Sequence, residues 1–415
     1  MTEGPSPQSS AQPMAEFRHV DVVFGKHSAQ ALALLDAGKT RQEILDATGA
    51  VLGAADCNLQ IAEGEISVLM GLSGSGKSTL LRCLNGLNQA NRGAVLIRDT
   101  HAGQSGYVDL TSCDAATLRR LRTTRVAMVF QQFALLPWRT VAENVGLGLE
   151  LSGMPKARRD KVVAEKLELV GLAQWGKKYA HQLSGGMQQR VGLARAFATD
   201  ADILLMDEPF SALDPLIREH LQQELLQLQK KLKKTIVFVS HDLDEAIKLG
   251  NHITIMEGGR IVQSGEPEQV VLNPANAYVR DFVAHMNPIK VLRGRSLMTP
   301  LDKLKHEGLR VQLDWTGHHW LQLDEAGQPE CADIEGQPGH LLAYHLQMDI
   351  VQAGLDGRSI AMANPDMLLE QIIHIRHATG RPVLMCEAGR FVGVVGDEEI
   401  YRGMLKTTSG ASATV

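Results

Sequence analysis

Residues 71–79 read Gly-Leu-Ser-Gly-Ser-Gly-Lys-Ser-Thr and lie between an apolar run, Ile66–Met70, and a helical pattern that continues through Leu84. In such a strand–loop–helix arrangement the backbone N–H groups of the loop turn inward at a helix N-terminus, where they bind phosphate oxygens. The segment therefore predicts a nucleotide site, with Lys77 on the β- and γ-phosphates and the Ser78 hydroxyl on Mg²⁺. The nucleotide-binding residues predicted in this loop are Gly71, Leu72, Ser73, Gly74, Ser75, Gly76, Lys77, Ser78 and Thr79.

A second apolar run, Ile203–Met206, ends in the acidic pair Asp207 and Glu208. A carboxylate at the end of a strand downstream of a phosphate loop is suited to hold the Mg²⁺ that Ser78 coordinates, and we assign that role to Asp207. The adjacent Glu208 can orient or polarise an attacking water. The pair therefore indicates nucleotide hydrolysis.

Further segments with polar residues at the ends of predicted elements surround this pair. Ser184, Gly185 and Gly186 open a helix and could form a second phosphate-binding nest, although an ordinary helix N-terminus would be favoured if the segment stood alone. Gln131 follows a predicted strand, and His241 ends another. Asp214 begins a helix shortly after the acidic pair. The order and spacing of these residues match a known set of motifs.

With these motifs in order, residues 17–286 resemble the nucleotide-binding subunit of ATP-binding-cassette (ABC) transporters. The resemblance implies a P-loop NTPase fold with a mixed sheet and a helical subdomain, ATP and Mg²⁺ as cofactors, and head-to-tail pairing of two copies. In that pairing Ser184, Gly185 and Gly186 of one copy close over the ATP of the other. Met187 stands where the family most often has glutamine, and we expect activity to survive because the nest uses Ser184 and backbone N–H groups.

The resemblance also implies roles for residues outside the phosphate loop. Phe24 matches the residue that stacks on adenine, Asp214 matches the D-loop aspartate, and Gln131 matches the glutamine that senses the γ-phosphate and abuts the membrane partner. The implied catalytic set is Lys77, Gln131, Glu208 and His241, and the implied Mg²⁺ set is Ser78, Gln131 and Asp207.

A helical insert at Ala29–Gly49 and the segment Phe210–Arg218 resemble importers of quaternary-amine osmoprotectants, for which choline, glycine betaine and proline betaine are the expected solutes. The resemblance implies transmembrane permease subunits as partners, a solute-binding protein as an indirect partner, and a place at the cytoplasmic face of the inner membrane. Two alternatives remain open: an ABC ATPase not coupled to transport, and an importer ATPase for another amine or amino acid. A regulator that binds ATP without turnover would be expected to lack the hydrolytic acid, yet Glu208 is present.

The chain of 415 residues exceeds the size at which one core keeps growing, so we predict two α/β domains. We predict disorder at 1–15 and 408–415, the ABC domain at 17–286 with its insert at 29–49, and a smaller domain at 295–406. The smaller domain resembles a divergent cystathionine-β-synthase (CBS) pair of α/β units, which implies regulation. Gly396 and Glu399 depart from that family's Ser/Thr and Asp, which weakens any prediction of nucleotide binding there and leaves a structural appendage as an alternative.

Composition excludes several other classes of protein. A net charge of −5 argues against binding to nucleic acid or to an anionic membrane surface. The five cysteines are scattered and form no CxxC pair, so we expect neither a disulfide framework nor a zinc site, and a reducing compartment is the natural setting. The sequence also contains no apolar run long enough to span a bilayer.

Overall fold

The computed structural model describes residues 12–99, 106–284, 286–344 and 358–405. The chain divides into two compact units, Met1–Glu266 and Pro267–Val415. The first domain was predicted to extend to residue 286, whereas this division places residues 267–286 in the second unit. Of the predicted disordered ends, 1–11 and 408–415 lie outside the described residues. At Met14 and Ala15 the prediction is wrong, because both side chains are buried and the first strand begins at Ala15.

The strands and helices of the first unit alternate along the chain, as expected for an α/β domain. The strands are β1 Ala15–Phe24, β2 Val51–Ile61, β3 Ile66–Met70, β4 Arg92–Asp99, β5 Gly106–Asp109, β6 Val126–Val129, β7 Ile203–Asp207, β8 Thr235–Val239, β9 His252–Glu257 and β10 Arg260–Gly265. The helices are α1 Ser28–Asp36, α2 Arg41–Thr48, α3 Lys77–Cys83, α4 Ala115–Thr124, α5 Val141–Val145, α6 Leu147–Leu151, α7 Lys156–Leu169, α8 Gly185–Ala198, α9 Pro215–Leu232 and α10 Leu243–Leu249.

Two sheets form the scaffold of the first unit. One has the order β2-β1-β4-β5 and is antiparallel. The other has the order β10-β9-β3-β8-β7-β6 and is parallel apart from the edge strand β10. Because parallel strands end at the same edge, the loops after β3, β6, β7 and β8 meet there, which is where ligands bind in open α/β sheets.

The apolar runs identified in the sequence are the central strands of the parallel sheet. β3 has the predicted bounds, and β7 ends at Asp207, one residue beyond the predicted run. β6 and β8 are the strands predicted to precede Gln131 and His241. Their side chains share a core with α3 and the antiparallel sheet, in which Leu69, Leu80, Leu205 and Val237 are fully buried. This packing fixes the start of α3 against the ends of the central strands.

The predicted helical insert is confirmed as α1 and α2. Thr40 and Glu43 form a capping box at the start of α2. Arg92, at the start of β4, donates to both carboxylate oxygens of Asp36 at 2.8 and 2.9 Å and to buried Asp21 at 2.5 Å. The guanidinium therefore ties the end of α1 to the antiparallel sheet.

The second unit combines one large sheet with short helices. Its helices are α11 Pro267–Leu272, α12 Ala277–Ala284, α13 Gly294–Leu297, α14 Leu369–Thr379 and α15 Asp397–Met404. Its strands are β11 Thr299–Pro300, β12 His306–Glu307, β13 Arg310–Gln312, β14 His319–Leu323, β15 Pro329–Ile334, β16 Gln337–Ala343, β17 Ser359–Ala363, β18 Val383–Glu387 and β19 Arg390–Val395. The sheet order is β11-β19-β18-β17-β16-β15-β14-β13-β12.

The second unit contains two hairpins, but the halves of the unit around them differ. β14 pairs with β15 across the turn at 325–327, and β18 pairs with β19 across the turn at 387–389. The second hairpin belongs to a β–α–β–β–α unit, β17 to α15, whereas the described residues 306–343 form an antiparallel meander without a helix. A pair of matching α/β units is therefore not found in the described residues. The CBS-like assignment and its regulatory role stay predictions.

No helix in the described part of the chain is both long enough and apolar enough to cross a bilayer.

Replacing Arg92 with Ala should destabilise the chain by about 2 kcal/mol, because the buried Asp21 carboxylate would lose its cation while staying out of water. Thermal or denaturant unfolding of the full chain measures this effect. Lys39→Ala is the matched control, since Lys39 forms a surface ion pair with the half-exposed Glu43. Its loss should cost about 0.5 kcal/mol or less. Equal stability losses in the two variants would contradict the anchoring role of Arg92.

Candidate active site

The phosphate loop closes around the ammonium group of Lys77. This side chain is 6% exposed, and its Nζ donates hydrogen bonds of 2.8 and 3.0 Å to the carbonyl oxygens of Gly71 and Leu72. Burial lowers the pKa of Lys77, while the nearby carboxylates of Glu208 and Asp207 act in the opposite direction. The loop therefore places the Lys77 amine at its centre, within reach of two backbone carbonyl oxygens.

Two glycines give this loop its path. Gly71 and Gly76 adopt φ values of 141° and 104°, in the left-handed region that side chains disfavour. A Cβ at Gly71 would lie 2.2 Å from the Met256 carbonyl oxygen, and one at Gly76 would lie 2.3 Å from that of Gly53. Any larger residue at either position would push the loop away from β2 and β9.

Asp207 lies at the end of β7 and is fully buried. The Ser78 hydroxyl donates to its Oδ1 at 2.7 Å, and Arg82 donates to its Oδ2 at 2.9 Å. The predicted meeting of Ser78 and Asp207 is thus found in the structure. Arg82 was not predicted, although its spacing of four residues from Ser78 places both on one face of α3.

The Mg²⁺ set predicted from the sequence is only partly assembled. The Ser78 hydroxyl and the Asp207 carboxylate supply adjacent oxygen atoms of the kind that Mg²⁺ prefers, so these residues fit the ion. Gln131 instead donates its Nε2 to Glu208 Oε2 at 3.1 Å. The role of Gln131 as a metal ligand stays a prediction.

Glu208 has both predicted partners beside it. Besides the hydrogen bond from Gln131, the Nδ1 atom of His241 lies 3.6 Å from its Oε2. The Glu208 side chain is 20% exposed and that of His241 is 66% exposed, so a water can reach both. The loops after β6, β7 and β8 therefore bring three of the predicted catalytic residues together.

The backbone of Glu208 is strained. Its φ is 49°, in the left-handed region that is rare for a residue other than glycine. Its N–H donates to the Val239 carbonyl at 3.1 Å, and its carbonyl accepts from the Ser211 hydroxyl at 3.0 Å. Such strain persists only where surrounding contacts impose it, which is typical of catalytic positions.

Gln189 is a functional residue that the sequence analysis missed. Its side chain is 1% exposed, its Nε2 donates to the Glu208 carbonyl at 3.1 Å, and its Oε1 accepts from the Ala212 N–H at 3.1 Å. It therefore links α8 to Glu208 and to the segment before α9. A glutamine on the buried face of a helix, five residues after Ser184, was the available signal.

Ser184 and Asp214 each cap a helix. The Ser184 hydroxyl accepts from the Met187 N–H at 3.4 Å at the start of α8, and Asp214 accepts from the Ile217 N–H at 3.1 Å at the start of α9. Ser184 and Gly185 are exposed, so this end of α8 is open to a ligand or partner. Their proposed contact with the nucleotide of a second copy stays a prediction.

Phe24 lies beside the phosphate loop. It ends β1, is 42% exposed, and its ring packs against Gly53 near the Thr79 methyl group. An exposed aromatic ring next to a phosphate loop is suited to stacking on a base. The role predicted for Phe24 is consistent with this position.

The two-sheet fold, the phosphate loop and the acidic pair together define an ABC-type nucleotide hydrolase. A family model described as ABC transporter matches residues 54–211. The glycine betaine/carnitine transport ATP-binding protein GbuA of Listeria monocytogenes is 48% identical over 403 residues, which cover 95% of this chain and 97% of the relative. The chain belongs to this family of ABC transporter ATP-binding proteins, which confirms the predicted resemblance.

Two further similarities agree. The glycine betaine/proline betaine transport system ATP-binding protein ProV of Escherichia coli is 47% identical over 282 residues, covering 68% of each chain. Among solved structures, a dimer of the ATP-binding cassette MJ0796 in a post-hydrolysis state with ADP and Pi is 30% identical, with a TM-score of 0.52, and the match covers 61% of this chain and 99% of that one. The predicted fold of the first unit is thereby confirmed.

Replacing Gln189 with Glu should lower kcat for ATP hydrolysis about tenfold and change KM less, because a carboxylate oxygen would then face the Glu208 carbonyl in a buried site. Steady-state ATPase kinetics measure this change. Gln188→Glu is the control, since Gln188 donates instead to Ala180 and Leu183 and should reduce kcat much less. An unchanged kcat in the Gln189 variant would show that Gln189 does not position Glu208.

Proposed function

We propose that this chain is the ATP-hydrolysing, energy-coupling subunit of an importer for quaternary-amine osmoprotectants, acting at the cytoplasmic face of the membrane. The observation that carries the catalytic part is the meeting of Ser78, Asp207 and Glu208 at one sheet edge beside the buried Lys77. Quaternary amines are supported as the solute class by the related proteins, whose names give glycine betaine, carnitine and proline betaine as the transported solutes. Choline shares the quaternary ammonium group and belongs to the same class.

The chemistry follows from the positions of the side chains. Lys77 and the backbone N–H groups of the phosphate loop hold the β- and γ-phosphates, and Phe24 supports the adenine. Glu208 accepts a hydrogen bond from the attacking water and takes up its proton as the water oxygen bonds to the γ-phosphorus. The bond from that phosphorus to the oxygen bridging it to the β-phosphate breaks in the same step, and ADP leaves. Gln131 and His241 hold the Glu208 carboxylate in the orientation this step needs. Mg²⁺, when bound at Ser78 and Asp207, supplies charge neutralisation for the phosphate oxygens.

The site requires a second copy of the chain to be complete. Ser184 and Gly185 are exposed at the start of α8, where free N–H groups and the helix dipole favour a phosphate. The related MJ0796 cassette, which is dimeric, supports a pairing in which these residues cover the γ-phosphate of the opposite copy. A γ-phosphate bridging two copies favours the closed dimer, and hydrolysis removes that bridge.

Replacing Glu208 with Gln should reduce ATP turnover at least about 100-fold, because the amide cannot accept the proton of the attacking water. It should also accumulate ATP-bound dimers, which size-exclusion chromatography with ATP would detect. Glu219→Gln is the matched control, since Glu219 is exposed on α9, where it pairs with Lys248. Turnover equal to wild type in Glu208→Gln would exclude the catalytic role of this residue.

A groove of about 310 Å³ in the first unit is suited to the membrane partner. Its walls are mostly apolar and include Leu87 and Leu151, which are 50% and 68% exposed, with Arg122 and Arg195 among its polar residues. Contiguous exposed apolar surface of this kind marks interaction sites, whereas single exposed leucines do not. Because the related proteins are subunits of transport systems, we assign the groove to a cytoplasmic segment of the permease.

Replacing Leu151 with Asp should abolish co-purification with the permease and the stimulation of ATPase by transported solute, because a charge would be buried at the contact. The basal ATPase of the isolated chain should stay within about twofold of wild type, since Leu151 lies outside the nucleotide site. Leu232→Asp is the control, because Leu232 is 48% exposed at the end of α9 and does not line the groove. A Leu151 variant that retains the permease would exclude the groove as the docking site.

A further inference from the structure

The helical insert of α1 and α2 has no role in the function proposed above, yet it is attached directly to the nucleotide site. It connects the end of β1 to the start of β2, where Phe24 pairs with Val51. The insert has a small core of its own, in which Ala31, Leu35 and Ile44 are buried against strand residues. The insert is therefore a packed element that adjoins Phe24, the residue proposed above to support the adenine.

Arg41, the first residue of α2, reaches the phosphate loop. Its NH1 group donates a hydrogen bond of 2.6 Å to the Gly74 carbonyl oxygen, across 33 positions of sequence. The capping box of Thr40 and Glu43 fixes the backbone at this end of α2, and the Arg92–Asp36 pair anchors α1 to the sheet. The start of α2, from which the Arg41 side chain extends to the loop, is consequently anchored, and Arg41 is partly exposed.

This contact has two consequences for a bound nucleotide. The Gly74 carbonyl is engaged by the insert, which restrains the loop in the path that presents its N–H groups to phosphate. A guanidinium also stays charged at any physiological pH and carries five N–H donors. A fixed positive charge next to a phosphate loop stabilises polyanions in proportion to their charge.

We propose that the insert is part of the nucleotide site and that Arg41 strengthens the binding of ATP, both by restraining the phosphate loop and by adding positive charge beside the polyphosphate. This inference rests on ATP binding at the phosphate loop, as proposed above. The insert would then raise the affinity of the site for nucleotides. This gain in affinity would increase with the number of phosphates on the nucleotide.

The test compares Arg41→Gln with Arg41→Lys in the full chain, using isothermal titration with ATP, ADP and AMP and steady-state ATPase kinetics. We expect Arg41→Gln to weaken ATP binding about tenfold and ADP binding about fivefold, with AMP changed less than about twofold, and to raise KM with little change in kcat. Arg41→Lys should recover most of the ATP affinity because it keeps the charge.

The controls separate failure of this inference from failure of the proposed function. Lys39→Gln removes a positive charge two residues before Arg41, from a side chain that pairs with Glu43 on the surface of the insert. This variant should bind ATP with the affinity of the wild type. Lys77→Ala should abolish ATP binding; an undiminished affinity there would reject the phosphate-loop assignment itself. Two results would overturn the role of Arg41 when Lys77→Ala behaves as expected. One is an unchanged ATP affinity in Arg41→Gln, and the other is an equal loss of affinity for ATP, ADP and AMP in that variant.

Discussion

The buried carboxylate of Asp207 is the constraint on which the nucleotide site depends. Its two oxygens accept hydrogen bonds from Ser78 and Arg82, so α3 and the phosphate loop before it are tied to the end of β7. A fully buried carboxylate without such donors would carry a large desolvation cost, so losing either donor would destabilise the folded protein strongly. Because β7 lies between β6 and β8 in the parallel sheet, the same link sets the distance from the phosphate loop to the catalytic loops.

A second constraint acts through the backbone of Glu208. The left-handed φ of this residue is held by the Val239 carbonyl, the Ser211 hydroxyl and the Gln189 amide. These groups belong to β8, to the loop after β7 and to α8. Gln189 lies on α8, the helix that begins at Ser184. A displacement of that helix would therefore act on the backbone of Glu208 through one buried amide.

Glu399 is a buried carboxylate of the second unit, where it is 7% exposed. Its Oε2 accepts from the Gly396 N–H at 2.8 Å, and its Oε1 accepts from the Thr299 hydroxyl at 2.5 Å and from Arg402 at 3.2 Å. The carboxylate thus caps α15 and joins it to β11. The described meander at 306–343 further separates this unit from a symmetric pair of α/β halves.

The sequence alone determined the features that depend on neighbours along the chain. The central strands, the insert with its capping box, the N-cap at Asp214 and the phosphate loop follow from apolar runs, cap residues and glycine spacing, all of which act within a few residues. Only the tertiary structure decided which distant side chains meet. The contacts of Arg82 with Asp207, of Gln189 with Glu208 and of Arg41 with Gly74 join residues that are 19 to 125 positions apart. No local pattern encodes such pairings, because they arise from strand order and from the packing of helices on the sheets.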